Sequence, residues 1–281
     1  MLSRYRDDLF TLMIWSTALL LMVMLLWVTG DLAWRGVGHL SFEFVFSSPT
    51  DAGRAGGIAS ILVSTLLILA VALLAAVPIG LGAAVWLAEF SRKQHDAAPV
   101  IRLALDVMAG VPSIVFGLFG NAFFCVFLGL GFSILSGGLT LACMILPVFI
   151  RTCESGLRMV SDDWRHGAGA LGMSQVSAIW YILLPAAAPA VIAGLMLGIG
   201  RATAETAALI FTSGYVDRMP SSLYDSGRAL SVHIYDLSMN VTGGDSAAYA
   251  TALVLIILII IINGLATGLS DQWLAKRVTS A

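Results

Sequence analysis

Residues 163–185 read DWRHGAGALGMSQVSAIWYILLP, a polar-bearing stretch set between runs of apolar sequence. Asp163, Arg165, His166 and Gln175 keep it out of lipid. Its pattern predicts two short helices meeting at a glycine. Ala168, Ala170 and Leu171 close the first, Gly172 takes a positive-φ cap position, and Ser174 caps the second. Pro185 fixes the entry into the next apolar run. A helical elbow of this kind is shaped to dock a partner at the membrane surface. A plain loop between two spans is the simpler reading of the same residues.

The runs on either side set the class. The chain has 281 residues, 59% hydrophobic and 11% charged, where a soluble domain carries about one quarter charged residues. The charges cluster between apolar runs of roughly the 20 residues needed to cross a hydrocarbon core. The runs are continuous rather than alternating, which excludes a closed β-barrel and predicts an all-α, polytopic membrane protein. A net charge of −2 and the lack of a basic, aromatic-laced patch give no reason to expect nucleic acid. Cys125, Cys143 and Cys153 have no metal-ligand spacing. Arg4 and Arg6 precede an apolar run that is too long for a signal peptide and has no small-x-small site after it, so it reads as a retained span.

Six transmembrane helices account for the apolar runs: 9–30, 58–87 with a bend at Pro78, 103–132 interrupted by Gly110-Val111-Pro112-Ser113, 138–150, 186–210 and 247–269. The chain then divides into a first helix with an external loop (1–57), a transmembrane domain (58–270) that includes the elbow, and a cytoplasmic tail (271–281). Lys and Arg set the orientation. With the N-terminus inside, ten of them (Arg4, Arg6, Arg92, Lys93, Arg102, Arg151, Arg158, Arg165, Lys276, Arg277) lie on the cytoplasmic side. Four (Arg35, Arg54, Arg218, Arg228) lie outside. Both termini and the elbow are therefore expected in the cytoplasm. In the second external loop, 229–239 reads as a short surface helix, and His233, Tyr235 and Asp236 make a poor metal set.

Charges at membrane depth mark functional candidates. Arg201 and Glu205, four apart in the fifth run, are expected to share a helix face and pair. Arg201 then offers a fork to an oxyanion while Glu205 steadies it or competes; a structural salt bridge is the alternative. Arg151 with Glu154, and Arg102 with Asp106, read as exposed structural pairs near the inner surface. The broken helix at Pro112 exposes backbone N–H groups, with the Ser113 hydroxyl beside them, to an anion; a plain kink reads the same. No G-x-x-x-x-G-K-[ST] loop, H-E-x-x-H motif or repeat between the halves occurs, so ATP hydrolysis by a phosphate loop is not expected of this chain.

The elbow resembles the EAA loop of ATP-binding-cassette importer permeases, whose wording is close to R-E-A-A-x-A-L-G followed by L-P. Arg165, Ala168, Ala170, Leu171, Gly172, Leu184 and Pro185 match; His166 stands for the acidic residue and Gly167 for the first alanine. Further matches run over 33–269. They are Gly56-Gly57-Ile58, Pro78-Ile79-Gly80, GVPSIVFGLF at 110–119, Leu146-Pro147 with Arg151 and Glu154, WRGVGHLSFEFVFSSP at 34–49, and RATAETAAL at 201–209. Together they are similar to phosphate permeases of the PstA type. Ala204 and Ala208 replace that family's Gly and Pro, which predicts a straighter helix there.

The resemblance implies the type I ABC importer (MetI-like) permease fold in the inner membrane and a transport subunit that is not itself an enzyme. It implies a heterodimer with a second permease, two copies of an ATP-binding subunit that hold ATP-Mg, and an external phosphate-binding protein. This chain would bind no cofactor of its own. Arg165, His166, Gly167, Ala168, Ala170, Leu171, Gly172, Leu184 and Pro185 would couple to the ATPase, and Arg201, Glu205 and Ser113 would line the substrate pathway. Another oxyanion such as phosphonate or phosphite, or a stand-alone transporter or channel using Glu205 as a proton-coupling carboxylate, are the competing expectations.

Overall fold

The computed structural model describes residues 2–91 and 97–278, with side chains described for 7–91 and 97–268. Its regular elements are helices, apart from a small hairpin of two-residue strands in the first loop. Helix α1 (Leu2–Val37) leads to α2 (Phe42–Phe46), then to strands β1 (Pro49–Thr50) and β2 (Ala55–Gly56). Helix α3 (Ala59–Val85) continues as a π-helical turn to Phe90. Helices α4 (Ala97–Ala109) and α5 (Ser113–Gly120) meet at 103°, α5 continuing as a π-helical segment to Phe127. Next come α6 (Ile134–Met159), the elbow helices α7 (Asp162–Ala170) and α8 (Gln175–Ala178), a π-helical turn at Ile179–Leu183, and α9 (Leu184–Ala186). The chain ends with α10 (Ala188–Thr203), α11 (Ala207–Ile210), α12 (Leu230–Met239) and α13 (Asp245–Val278).

Four helices among the described residues are long and apolar enough to cross a membrane, and six spans result if each bent pair counts as one. The expected six are recovered with different shapes. Helix α3 passes Pro78 without a break, where a bend was expected. The fourth span reaches Met159 rather than ending at 150, because its charged last turns pair internally. The fifth is bent by 68° at Ala187 and ends at Thr203. Helix α13 runs on to Val278, so most of the expected tail is helical; 279–281 lie outside the described residues. So do Arg92 and Lys93, two of the charges that set the orientation.

The core is a three-helix stack of α3, α6 and α10, around Ile68, Ala72, Leu141, Ile145, Phe149 and Ile199. Small residues let α10 approach α6. A Cβ added at Gly198 would lie 2.6 Å from Ile145 Cγ2, and one at Gly156 would lie 2.1 Å from Ala190 Cβ. Close backbone approach of this kind is how helices pack where lipid removes the usual hydrophobic drive. A second cluster (Phe44, Ile58, Ile61, Leu230, Leu237, Val254) closes the end carrying the hairpin. A third (Ala88, Leu157, Ile179, Leu183, Ala187) roots the elbow at the other end. Helix α1 is apolar and exposed along its spanning length. It is tied to α13 by the backbone contact of Gly36 with Tyr249 and by Arg35 lying 5.3 Å from the Tyr249 ring centre. An apolar helix left uncovered by its own chain is what a lipid-facing span looks like.

Candidate functional site

The elbow forms as its residues dictate. Ser161 accepts from the Asp163 N–H and starts α7. The helix stops where Met173 N–H donates to the Ala168 carbonyl and Gly172 N–H to that of Gly169, the paired bonds of a Schellman stop. Gly172 supplies the required φ of 71°. Ser174 then accepts from Ser177 N–H and starts α8. Of the residues the resemblance assigns to coupling, His166, Gly167, Ala170, Leu171 and Gly172 are exposed. Leu171 is 81% exposed, and Trp164 and Val176 are exposed as well, so the elbow carries apolar side chains not covered by the described residues. Ala168 is buried, Leu184 and Pro185 are half-buried, and these three anchor the elbow.

Arg165 is an anchor too. Its guanidinium grips Glu89 at the end of α3, with Nη2–Oε1 at 2.7 Å and Nε–Oε2 at 3.0 Å, and also donates to the carbonyls of Leu157 and Val160. Both side chains are largely buried. Hydrogen bonding to Glu89 raises the guanidinium above its ordinary value, against desolvation. Breaking such a pair from one side costs about 3–5 kcal/mol. Glu89 was not singled out in the sequence. The signal was there: it is the acid at the C-terminal end of an otherwise apolar run.

About two turns before the elbow, the carboxylate of Glu154 is 2% exposed and receives three arginines. Arg102 Nε reaches Oε1 at 2.7 Å, Arg158 Nε reaches it at 3.0 Å, and Arg151 Nη1 reaches Oε2 at 3.2 Å. Arg102 and Arg158 also donate to the Leu87 carbonyl near the end of α3, the end at which a helix attracts cations. The expected partners are thus redistributed. Asp106 pairs with Arg151 rather than Arg102, and Glu154 is buried rather than exposed. Residues on α4 and α6 meet here only because α4 folds back at 103°, which spacing along the chain does not reveal.

The expected Arg201–Glu205 pair does not form. Helix α10 ends at Thr203, whose hydroxyl bonds to the carbonyls of Ile199 and Gly200, so the two residues no longer share a helix face. The buried Glu205 carboxylate instead accepts from Ala208 N–H at 3.0 Å and caps α11. The Glu205 carbonyl accepts from Ser231 Oγ at the start of α12. The segment is therefore broken despite Ala204 and Ala208, not straightened by them. Arg201 is half-buried and makes no ion pair or hydrogen bond among the described residues. Ser113 stands in the first turn of α5, after Pro112; no hydrogen bond joins it to Arg201 or Glu205 among the described residues.

The second loop does contain the expected helix, α12, but its first half is buried rather than lying on the surface. Arg228 bridges Asp236 at 3.0 Å, the Tyr215 carbonyl at 2.8 Å and His233 Nδ1 at 3.3 Å. His233 is fully buried beneath Gly53, and no metal-holding group of His, Cys, Asp and Glu occurs among the described residues.

An all-helical multi-pass chain with broken spans and an anchored elbow defines a membrane permease subunit. Residues 76–279 match the family described as "Binding-protein-dependent transport system inner membrane component", and the chain belongs to that family, as a multi-pass inner-membrane transport component. It is 30% identical over 259 residues to the probable ABC transporter permease protein YqgI of Bacillus subtilis, covering 87% of this chain and 86% of the relative. It is 33% identical over 285 residues to the phosphate transport system permease protein PstA of Mycobacterium leprae, covering 98% and 91%. Among solved structures, a chain of the inward-facing MetNI methionine ABC transporter superposes with a TM-score of 0.60 at 15% identity, over 76% of this chain and 95% of that one. The fold is that of a type I ABC importer permease.

Proposed function

We propose that this chain is a permease subunit of an ATP-driven phosphate importer, in which Arg201 is the transient counter-ion of the passing oxyanion. The observation that carries this reading is the state of Arg201: half-buried in a spanning helix and without a partner among the described residues, while the nearby Glu205 is engaged in capping α11. An uncompensated guanidinium at membrane depth is costly unless it meets an anion, and its planar fork suits a tetrahedral oxyanion. Phosphate rather than another oxyanion is supported by the names of relatives such as the M. leprae protein.

The subunit works with a second, non-identical permease, two copies of an ATP-binding subunit that hold ATP-Mg, and an external phosphate-binding protein. The elbow faces the cytoplasm, with both termini on that side, and its exposed residues His166, Gly167, Ala170, Leu171 and Gly172 meet the ATPase. Nucleotide-driven closure pulls on the elbow, opens the pathway outward, and lets the binding protein hand over its cargo past Ser113 and Arg201. Binding stays weak enough for release inward.

The test is phosphate uptake by the reconstituted complex. Loss of a charge-assisted hydrogen bond is worth about 1.5–3 kcal/mol, so Arg201→Ala is expected to cut uptake on the order of tenfold to a hundredfold. Unchanged uptake removes Arg201 from the pathway. Competition by phosphonate and phosphite, measured in the same assay, decides the cargo among oxyanions.

A further inference from the structure

A cleft of about 780 Å³ opens between the last turns of α6 and the first turns of α10, beside the elbow and away from Arg201. Arg102, Arg151 and Arg158 line it, with Glu154 as the sole acid among its lining residues. Three guanidinium groups face one carboxylate, which leaves two positive charges in the lining; Asp106, paired with Arg151 at the rim, reduces the excess to one. Arg151 and Arg158 are 40% and 41% exposed, while Glu154 is 2% exposed. Glu154 thus serves as a buried tether that aims the arginines, and the accessible charge is positive apart from Asp106, which is 55% exposed beside Arg151.

The donors are also in surplus. Arg102 directs Nε and Nη2 to Glu154, Leu87 and Ser91, and Arg158 directs Nε and Nη2 to Glu154 and Leu87. The Nη1 of each has no partner among the described residues. Thr152, Ser155, Gly156, Met159, Ala190 and Ala193 form the rest of the wall.

The geometry points to a second oxyanion site in this cleft, one that takes a phosphoryl group between Arg151 and Arg158 with Arg102 behind them. Two sources supply that chemistry at a membrane surface: inorganic phosphate in water, and the headgroup of an anionic phospholipid. The site goes beyond the transport reading, since it is a binding equilibrium that does not need Arg201. Its placement at the inner mouth, however, rests on the cytoplasmic orientation of the elbow.

The experiment uses the assembled transporter in nanodiscs, without nucleotide or binding protein. Radiolabelled inorganic phosphate is titrated in phosphatidylcholine discs, and retained lipid is read by native mass spectrometry in discs containing phosphatidylglycerol. Saturable phosphate binding is expected, weakened at least tenfold by Arg158→Gln, partly restored by Arg158→Lys, and unchanged by Arg54→Gln at an exposed arginine outside the cleft. Arg158→Gln leaves the 2.7 Å Arg102–Glu154 pair in place, so the helices remain joined. Retention of phosphatidylglycerol that Arg158→Gln abolishes, with no phosphate binding, supports the site with lipid as its source. No saturable phosphate binding and no specific lipid retention overturns the inference, as does equal binding in Arg158→Gln. Loss of uptake in Arg201→Ala with binding intact would keep the two proposals apart.

Discussion

Arg165 and Glu89 hold the elbow to the end of α3 through charge-assisted bonds in a largely buried setting. Because Glu89 faces a guanidinium that also donates to the carbonyls of Leu157 and Val160, Glu89→Gln removes its buried counter-charge and leaves only the exposed Asp162. The expected result is a thermal unfolding midpoint lowered by the equivalent of about 3 kcal/mol, together with loss of substrate-stimulated ATP turnover. A variant with full stimulation would show that the elbow acts without this tie. His233 gives a pH prediction. Burial, helped by the nearby Arg228, holds it down at about 4, from an ordinary 6.5. The unfolded chain binds a proton between those values and the folded chain does not, so stability is complete above about 6.5 and is lost as pH falls toward 4. At about 1.4 kcal/mol for each pH unit, the loss is on the order of 3 kcal/mol. Melting at pH 7 and pH 5 should show it, and His233→Leu should flatten the pH dependence even if it lowers stability overall.

At the scale of elements, the elbow was legible in the sequence because its determinants are local. Gly172 ends one helix and Ser174 begins the next through bonds that reach only a few residues along the chain. The break after Thr203 was not legible. It is held by the Glu205 cap and by Ser231, 26 positions further on, rather than by a glycine or proline. The same limit hid Arg165–Glu89, 76 positions apart, and the three-arginine arrangement on Glu154. Gly110-Val111-Pro112 announced an interruption, but the 103° angle depends on what α4 packs against. A Cβ at Gly172 meets nothing within 4 Å, so substitution there acts through its φ of 71° alone. Gly172→Val is expected to cost about 1–3 kcal/mol of strain and to uncouple ATP turnover from uptake. Gly172→Asn, which tolerates that conformation, should retain most coupling; equal effects of the two would argue against the helix stop as the cause.

Taken whole, the described residues expose apolar side chains at several places, among them the length of α1 and, on the elbow, Leu171, Trp164 and Val176. Lipid suits the first, and a protein suits the second, which lies outside the bundle. Purification in mild detergent is therefore expected to yield this chain with an ATP-binding subunit and a second, different membrane subunit. Transport by the isolated polypeptide in liposomes without ATP would instead favour the stand-alone reading.

The segment from Ala59 to Phe90 is one unbroken helical run of 32 residues, about 48 Å long at 1.5 Å per residue. Its Phe90 end is clasped by Arg165 of the elbow, and near its Ala59 end the Ser60 hydroxyl donates to the Asp217 carbonyl in the loop that carries α12. Such a run acts as a pushrod. A displacement imposed at its Phe90 end is expected to reach the loop that carries α12 through solid protein, without anything having moved along the conduit.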